Sequence, residues 1–207
     1  MQQPVRTATG TTAPPEIMSA EALNEAAADS GWPMLCDETC SFMHPLLHEL
    51  LALWRHEAAA GIPQRQALTA RKLQPFMRNL TLFERLSEGP QRRYRVRLMG
   101  SGIVQYYGEL TGKYIDEVVP ETFLPRWYAF LDTALRAARP VRLLLRADTF
   151  DKAHMVGECL CAPLAAEAGS VKFVLLGMIL DGRRPWSVVQ ADARALLASA
   201  GSALIKP

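Results

Sequence analysis

Between His44 and Ala60 the apolar residues Leu46, Leu47, Leu50, Leu51 and Trp54 recur three and four positions apart. That spacing lays one apolar stripe along an α-helix, and Gly61-Ile62-Pro63 ends it. Thr69 stands where a shorter helix begins; past Pro75 and Phe76 the run 80–86 has a β-rich composition, and Gly89-Pro90 marks a turn. From Arg92 the period changes to two. Tyr94, Val96 and Leu98 alternate with Arg93, Arg95 and Arg97, which predicts a strand with the apolar set inward and the arginines solvated. Gly100 and Gly102 then release the chain into short helical pieces. A longer helix is expected over 121–138, with Phe123, Leu124, Trp127, Phe130, Leu131, Ala134 and Leu135 as its buried stripe. Arg139-Pro140 stops it, because the residue before a proline leaves the helical region.

Three more strands are expected after Pro140. The first, 141–150, carries Val141, Leu143 and Leu145 on one face and Arg142 and Arg146 on the other. The second, 154–164, is closed by Pro163. The third, 171–182, is apolar on both faces, with Val171, Phe173 and Leu175 on one and Val174, Leu176 and Met178 on the other, so each face needs a cover. The natural cover for the outer one is the N-terminal helix, in the same chain or across a homodimer. Leu46, Leu50, Leu51 and Trp54 are therefore interface candidates. Five strands with the helices grouped between the second and third describe an α+β fold: an antiparallel sheet, helices on one face and an N-terminal flanking helix.

The ends read differently. Pro, Thr, Ala and Gln dominate the first 15 positions, and Gly31-Trp32-Pro33 interrupts regular structure, so residues 1–40 are expected to be a poorly ordered leader. Ser19 before an Ala-rich stretch offers a helix cap, with little to bury. The domain is expected over 41–185, followed by a tail over 186–207 with a weak Ala-rich helix.

Composition narrows the function classes. The 207 residues are 49% hydrophobic and 21% charged, enough for a core without disulfide or metal staples. A net charge of +2 implies no nucleic-acid partner. No apolar run spans a bilayer and the first residues lack an export-type apolar core, so no membrane contact and a cytoplasmic location are expected. The four cysteines lie at 36, 40, 159 and 161, without paired CxxC motifs, and read as reduced, buried small residues. His44 and His48 share a helix face, but the glutamate of a zinc-hydrolase motif is missing, so no metal is assigned. Gly100-Ser101-Gly102 lacks the spacing of a nucleotide fingerprint, and no catalytic template matches. The carboxylate pairs Asp116/Glu117 and Asp148/Asp151 fall in loop-like settings.

The order of elements and the run YRVRLMGSGIVQYYGELTGKYIDEV resemble a family of short stand-alone bacterial PAS-domain proteins. The resemblance rests on Leu98-Met99-Gly100-Ser101-Gly102-Ile103, on Gly108-Glu109-Leu110-Thr111-Gly112-Lys113, and on the helix bearing Leu53-Trp54-Arg55, and it covers residues 43–182. It implies an apolar pocket between the inner sheet face and the helices opposite, lined here by Tyr106, Leu110, Trp127, Phe130, Val141, Leu143, Met155 and Met178. The cofactors of known PAS domains find no matching residues. His154 is the single outsider for haem ligation, and neither a flavin-type nor a chromophore-type cysteine stands in the helical region, so the cofactor is left unknown. The resemblance implies a non-catalytic sensory or signalling module that binds a small molecule, a signalling protein, or both. The alternatives are a ligand-free adaptor and, behind it, a small α+β enzyme or lipid-handling protein.

Overall fold

The computed structural model describes residues 19–59, 61–87, 92–148, 155–182 and 184–203, with the backbone alone at 196 and 199–203. The expected turn at Gly89-Pro90, together with Asp151 and His154, lies outside the described residues. Seven α-helices and six strands are described: α1 Ala20–Asp29, β1 Met34–Asp37, α2 Pro45–Ala58, α3 Ala70–Leu73, β2 Leu80–Arg85, β3 Tyr94–Met99, α4 Ser101–Tyr107, α5 Ile115–Val118, α6 Leu124–Arg136, β4 Val141–Arg146, β5 Val156–Ala165, β6 Val171–Asp181 and α7 Trp186–Ala203. Short 3-10 turns at Arg65–Ala67, Gln74–Asn79 and Glu121–Phe123 join them. All strands pair antiparallel in one sheet, in the order β1-β4-β5-β6-β2-β3.

The sheet has six strands where five were expected, because β1 comes from the supposed leader. Ser19 does cap α1, its hydroxyl accepting from the Ala22 N–H at 3.1 Å. What the sequence pattern undervalued is the burial: Leu23 is fully buried, with Ala20 and Ala27, where α1 packs on β1 and α6. Asn24 then ties the helix to the strand, its amide donating to the Cys36 carbonyl at 2.8 Å and accepting from the Cys36 N–H at 2.7 Å. The opposite edge, β3, is capped likewise, since the Val96 N–H donates to Lys113 and the Gly112 N–H to Val96. Neither edge offers the open ladder that invites another strand.

Two apolar layers sandwich the sheet. On the inner face, α4, α5 and α6 cover Phe83, Val96, Leu143, Cys159, Val174 and Met178. On the outer face, α2 covers Leu82, Leu160, Ala162 and Leu175 with Leu47, Leu50, Leu51 and Trp54, and α7 covers Leu35, Leu144 and Val156 with Val189 and Ala193. The two-faced β6 thus places Val174, Leu176 and Met178 inward and Phe173, Leu175 and Ile179 outward. Of the two arrangements expected for Leu46, Leu50, Leu51 and Trp54, the structure has the one within the chain: the last three are buried against their own sheet, with Leu46 packed beside them. The Trp54 indole N–H also donates to the Pro163 carbonyl at 2.9 Å.

Three local departures have simple causes. Leu98 turns to the outer layer and Met99 to the inner one, because a bulge between β2 and β3 leaves Arg97 without a partner and flips the parity after Val96. β5 runs through Pro163 to Ala165 instead of closing at it, and Pro163 still pairs in register with Val174. Gly100 is required by crowding rather than by an unusual dihedral: its φ is −74°, but a Cβ there would overlap the Met77 carbonyl oxygen and lie 2.6 Å from that of Arg78.

Candidate functional site

The space between α6 and the inner face of the sheet is organised around Trp127. Its ring meets Phe130 at 5.4 Å, Phe83 at 6.1 Å and Tyr107 at 6.5 Å, the last two edge-on, the arrangement that aromatic quadrupoles favour. These rings come from β2, α4 and α6, so the cluster exists only once the sheet and helices have closed. Leu110, Trp127, Phe130, Val141, Leu143 and Met178, all expected as pocket lining, belong to it, and Tyr106 packs against it half-buried. Met155 does not: it is half-buried at the start of β5, where its carbonyl accepts the Ala147 N–H.

Charged groups enter this layer in two places that the alternation of residues did not disclose. Near the N-terminus of α6, Arg126 is buried, its Nη1 2.7 Å from Asp148 and its guanidinium 5.1 Å from the centre of the Phe123 ring. Asp148 also pairs with Arg146 at 3.3 Å. Burial pushes the nearby Tyr107 hydroxyl far above its usual range; Cys159 adds to this and the Arg126 charge opposes it. One turn and a half further along α6, Asp132 is fully buried. It accepts from Arg92 Nε at 2.7 Å and from the Tyr94 hydroxyl at 2.5 Å, and Arg92 also lies 5.3 Å over Tyr128. Burial raises the Tyr94 hydroxyl strongly, and the charge of Asp132 beside it adds to the effect. A signal existed in the sequence: Arg126, Asp132 and Thr133 interrupt an otherwise apolar helix, and a polar residue on a buried helix implies a partner.

The outer face has a charged centre of its own. Arg142 was expected on the face opposite Val141 and Leu143, and it lies there, buried. Its Nε donates to Glu158 at 2.8 Å and its Nη1 to Asp37 at 3.3 Å. Glu158 accepts in addition the backbone N–H groups of Met43 and His44, which lead into α2. Alternation on β4 thus holds, and the buried guanidinium is met on that face by Asp37 from β1 and Glu158 from β5.

The remaining candidates have structural tasks. His44 caps α2 by accepting the Leu46 N–H at Nδ1, and His48 Nε2 donates to the Phe42 carbonyl at 2.7 Å. The four cysteines are buried free thiols, and burial raises Cys36, Cys159 and Cys161 well above the ordinary thiol value and Cys40 to about 11. Among the described residues no group of three or more His, Cys, Asp or Glu side chains could hold a metal ion. Asp116 and Glu117 bind Arg93, which stacks 3.8 Å over the Tyr114 ring. No helix among the described residues is long and apolar enough to cross a membrane.

An antiparallel sheet in the order β4-β5-β6-β2-β3, edged by β1 and with its helical connection across one face, defines an α+β module. The family model described as a PAS domain matches residues 42–180, and the chain belongs to that family. A solved structure described as an RNA-binding light-oxygen-voltage receptor is similar at a TM-score of 0.39 and 14% sequence identity, over 87% of this chain and 58% of that one. The chain thus spans less than two-thirds of that receptor's length, and no function is carried over from it. No curated protein matches the sequence.

Proposed function

We propose that this PAS domain is a non-catalytic sensory and signalling module of the cytoplasm, which takes a small ligand into the inner-face cluster and reports it to a protein partner. The observation that carries the reading is the pairing of an apolar aromatic cluster around Trp127 with one buried charged group at its end, Arg126 held by Asp148. Ligand sites are mostly apolar with a few convergent polar groups, and this cluster has that chemistry. A ligand that inserted beside Trp127 would push on α6 and on the β4–β5 end together, shifting the population between two arrangements.

Native mass spectrometry of the protein purified from its own cells tests this. An extra mass that is released on denaturation, and is lost when Trp127 is replaced by alanine, is the expected result. The bare chain mass in repeated preparations sinks the ligand half of the reading. A second reading, the ligand-free adaptor, is favoured by the contacts of Trp127 with three other rings, which fill the space with side chains. The same spectra, recorded with and without added partner fractions, also report the oligomeric state.

A further inference from the structure

On the opposite side of the sheet, a cavity of about 250 Å³ opens between the N-terminus of α2 and the start of α7. Val156, Ile179 and Val189 form its walls, with Met43 at the mouth and Glu158 behind them. Glu158 offers little to a guest, because Arg142 and the N–H groups of Met43 and His44 already engage both of its oxygens. The interior is therefore apolar in effect. The large apolar side chains left exposed among the described residues are Met43, Leu86 and Val188. Of these, Met43 lines this cavity, so an occupant would cover apolar surface that is otherwise exposed.

The rim decides the class of occupant. It carries opposed charges, Asp181 on the end of β6 and Arg184 just before α7, both exposed. A net anion would meet Asp181 and the nearby Asp192, and a net cation would meet Arg184. A zwitterion with an apolar tail satisfies both. The cavity is also smaller than the roughly 300–1,000 Å³ of sites for drug-sized ligands, which suits a molecule of amino-acid size.

We propose that this cavity binds a free apolar α-amino acid of the size of leucine or methionine. The side chain lies among Val156, Ile179 and Val189, the ammonium group faces Asp181 and the carboxylate faces Arg184. Arg184 already pairs with Asp192, and Asp181 has a contact of its own, but all three residues are exposed, and contacts of that kind cost little to share or exchange. The guanidinium has five donors, enough for a second carboxylate. The site touches both helices that cover the outer face, so its occupant biases how α2 and α7 sit. It is separate from the inner-face cluster and stands or falls independently of it.

The test is calorimetric titration of the full-length protein with L-leucine, L-isoleucine, L-valine and L-methionine, and with two analogues of leucine lacking one charge each, 4-methylpentanoate and isopentylamine. Methyl NMR runs in parallel. At least one amino acid is expected to bind, about tenfold or more tighter than either analogue, as expected when a charge-assisted contact is removed. The methyl signals of Val156, Ile179 and Val189 should shift, and those of Val141 and Leu143 should not. Arg184→Gln should weaken binding by about tenfold without changing the unfolding midpoint, since its ion pair is exposed. Met43→Trp, which fills the mouth from an exposed position, should weaken it as well. The proposal is overturned if none of the four binds, if an analogue binds as tightly, if Arg184→Gln binds unchanged, or if the shifts fall on Val141 and Leu143.

Discussion

The two faces of the sheet are both buried, yet they are held in different ways. On the inner face α6 lies on the sheet through a broad apolar cluster and is tied at two separate points, Arg126 to Asp148 and Asp132 to Arg92 and Tyr94. On the outer face, the junction between β1 and α2 is tied where Arg142, Asp37, Glu158 and two backbone N–H groups converge. The inner layer is thus redundant, whereas the chain entering α2 is held by one carboxylate, Glu158, with the bond from Trp54 to Pro163 further along the helix. A helix that is over-determined can tolerate the loss of one tie, whereas a hub cannot.

The largest effect expected is at that hub. Glu158→Leu leaves Arg142 buried with a single weaker partner and should cost about 3–5 kcal/mol in urea unfolding. Adding Arg142→Met should recover most of it, because an apolar pair of similar volume is often neutral. A cost for the single variant under about 1 kcal/mol would break the contrast between hub and redundant layer.

Next comes the inner layer. Leu131→Ala removes a fully buried side chain of α6 and should cost about 2–5 kcal/mol, with the fold retained by circular dichroism. Tyr94→Phe deletes one hydrogen bond to the buried Asp132 carboxylate and should cost about 1.5–3 kcal/mol. If redundancy is real, combining Tyr94→Phe with Arg126→Met should cost more than the sum of the two single variants, because each tie holds α6 when the other is lost.

The buried acids sharpen the comparison through pH. The thiols of Cys36, Cys159 and Cys161, in the inner layer, and of Cys40, in the outer one, are all raised above the ordinary thiol value by burial. Between pH 9 and 11 the unfolded chain loses these protons and the folded one keeps them, so the native state binds more protons and stability falls as pH rises. Each such group contributes about 1.4 kcal/mol per pH unit within that window. Tyr128, raised to about 12, extends the fall above pH 10. Unfolding midpoints from pH 8 to 11 check this, and a flat profile would contradict the burial of the thiols. The smallest effect is outside both layers: Arg93→Ala should cost under about 1 kcal/mol, because its pairs with Asp116 and Glu117 are partly exposed.

Much of the inner face could be read from the chain, because periodicity reports which side chains of one element share a face. The stripe of α6, the alternation of Tyr94 and Val96, and the apolar set of β4 are local properties and recur in the structure. The charged centre of the outer face was not legible for the same reason. Alternation placed Arg142 opposite Val141 and Leu143 correctly, but nothing local says that β1, 105 residues away in sequence, will bring Asp37 to it. The same limit hid α1 and β1, whose Ala-rich and short apolar patterns are weak until α6 and β4 supply the other half of the contact.

The sequence by itself determined the elements from α2 to β6, their order and most of their apolar faces, since each follows from spacing within a segment of a few to about twenty residues, and its motifs carried the resemblance to PAS domains. Only the tertiary structure decided which charges are buried and with whom. It also decided that α2 folds back on its own sheet, and that an apolar cavity remains between α2 and α7. The reason is physical: a buried charge is stabilised by partners from distant segments, and a cavity is what several segments leave unfilled, so neither is encoded in any one of them.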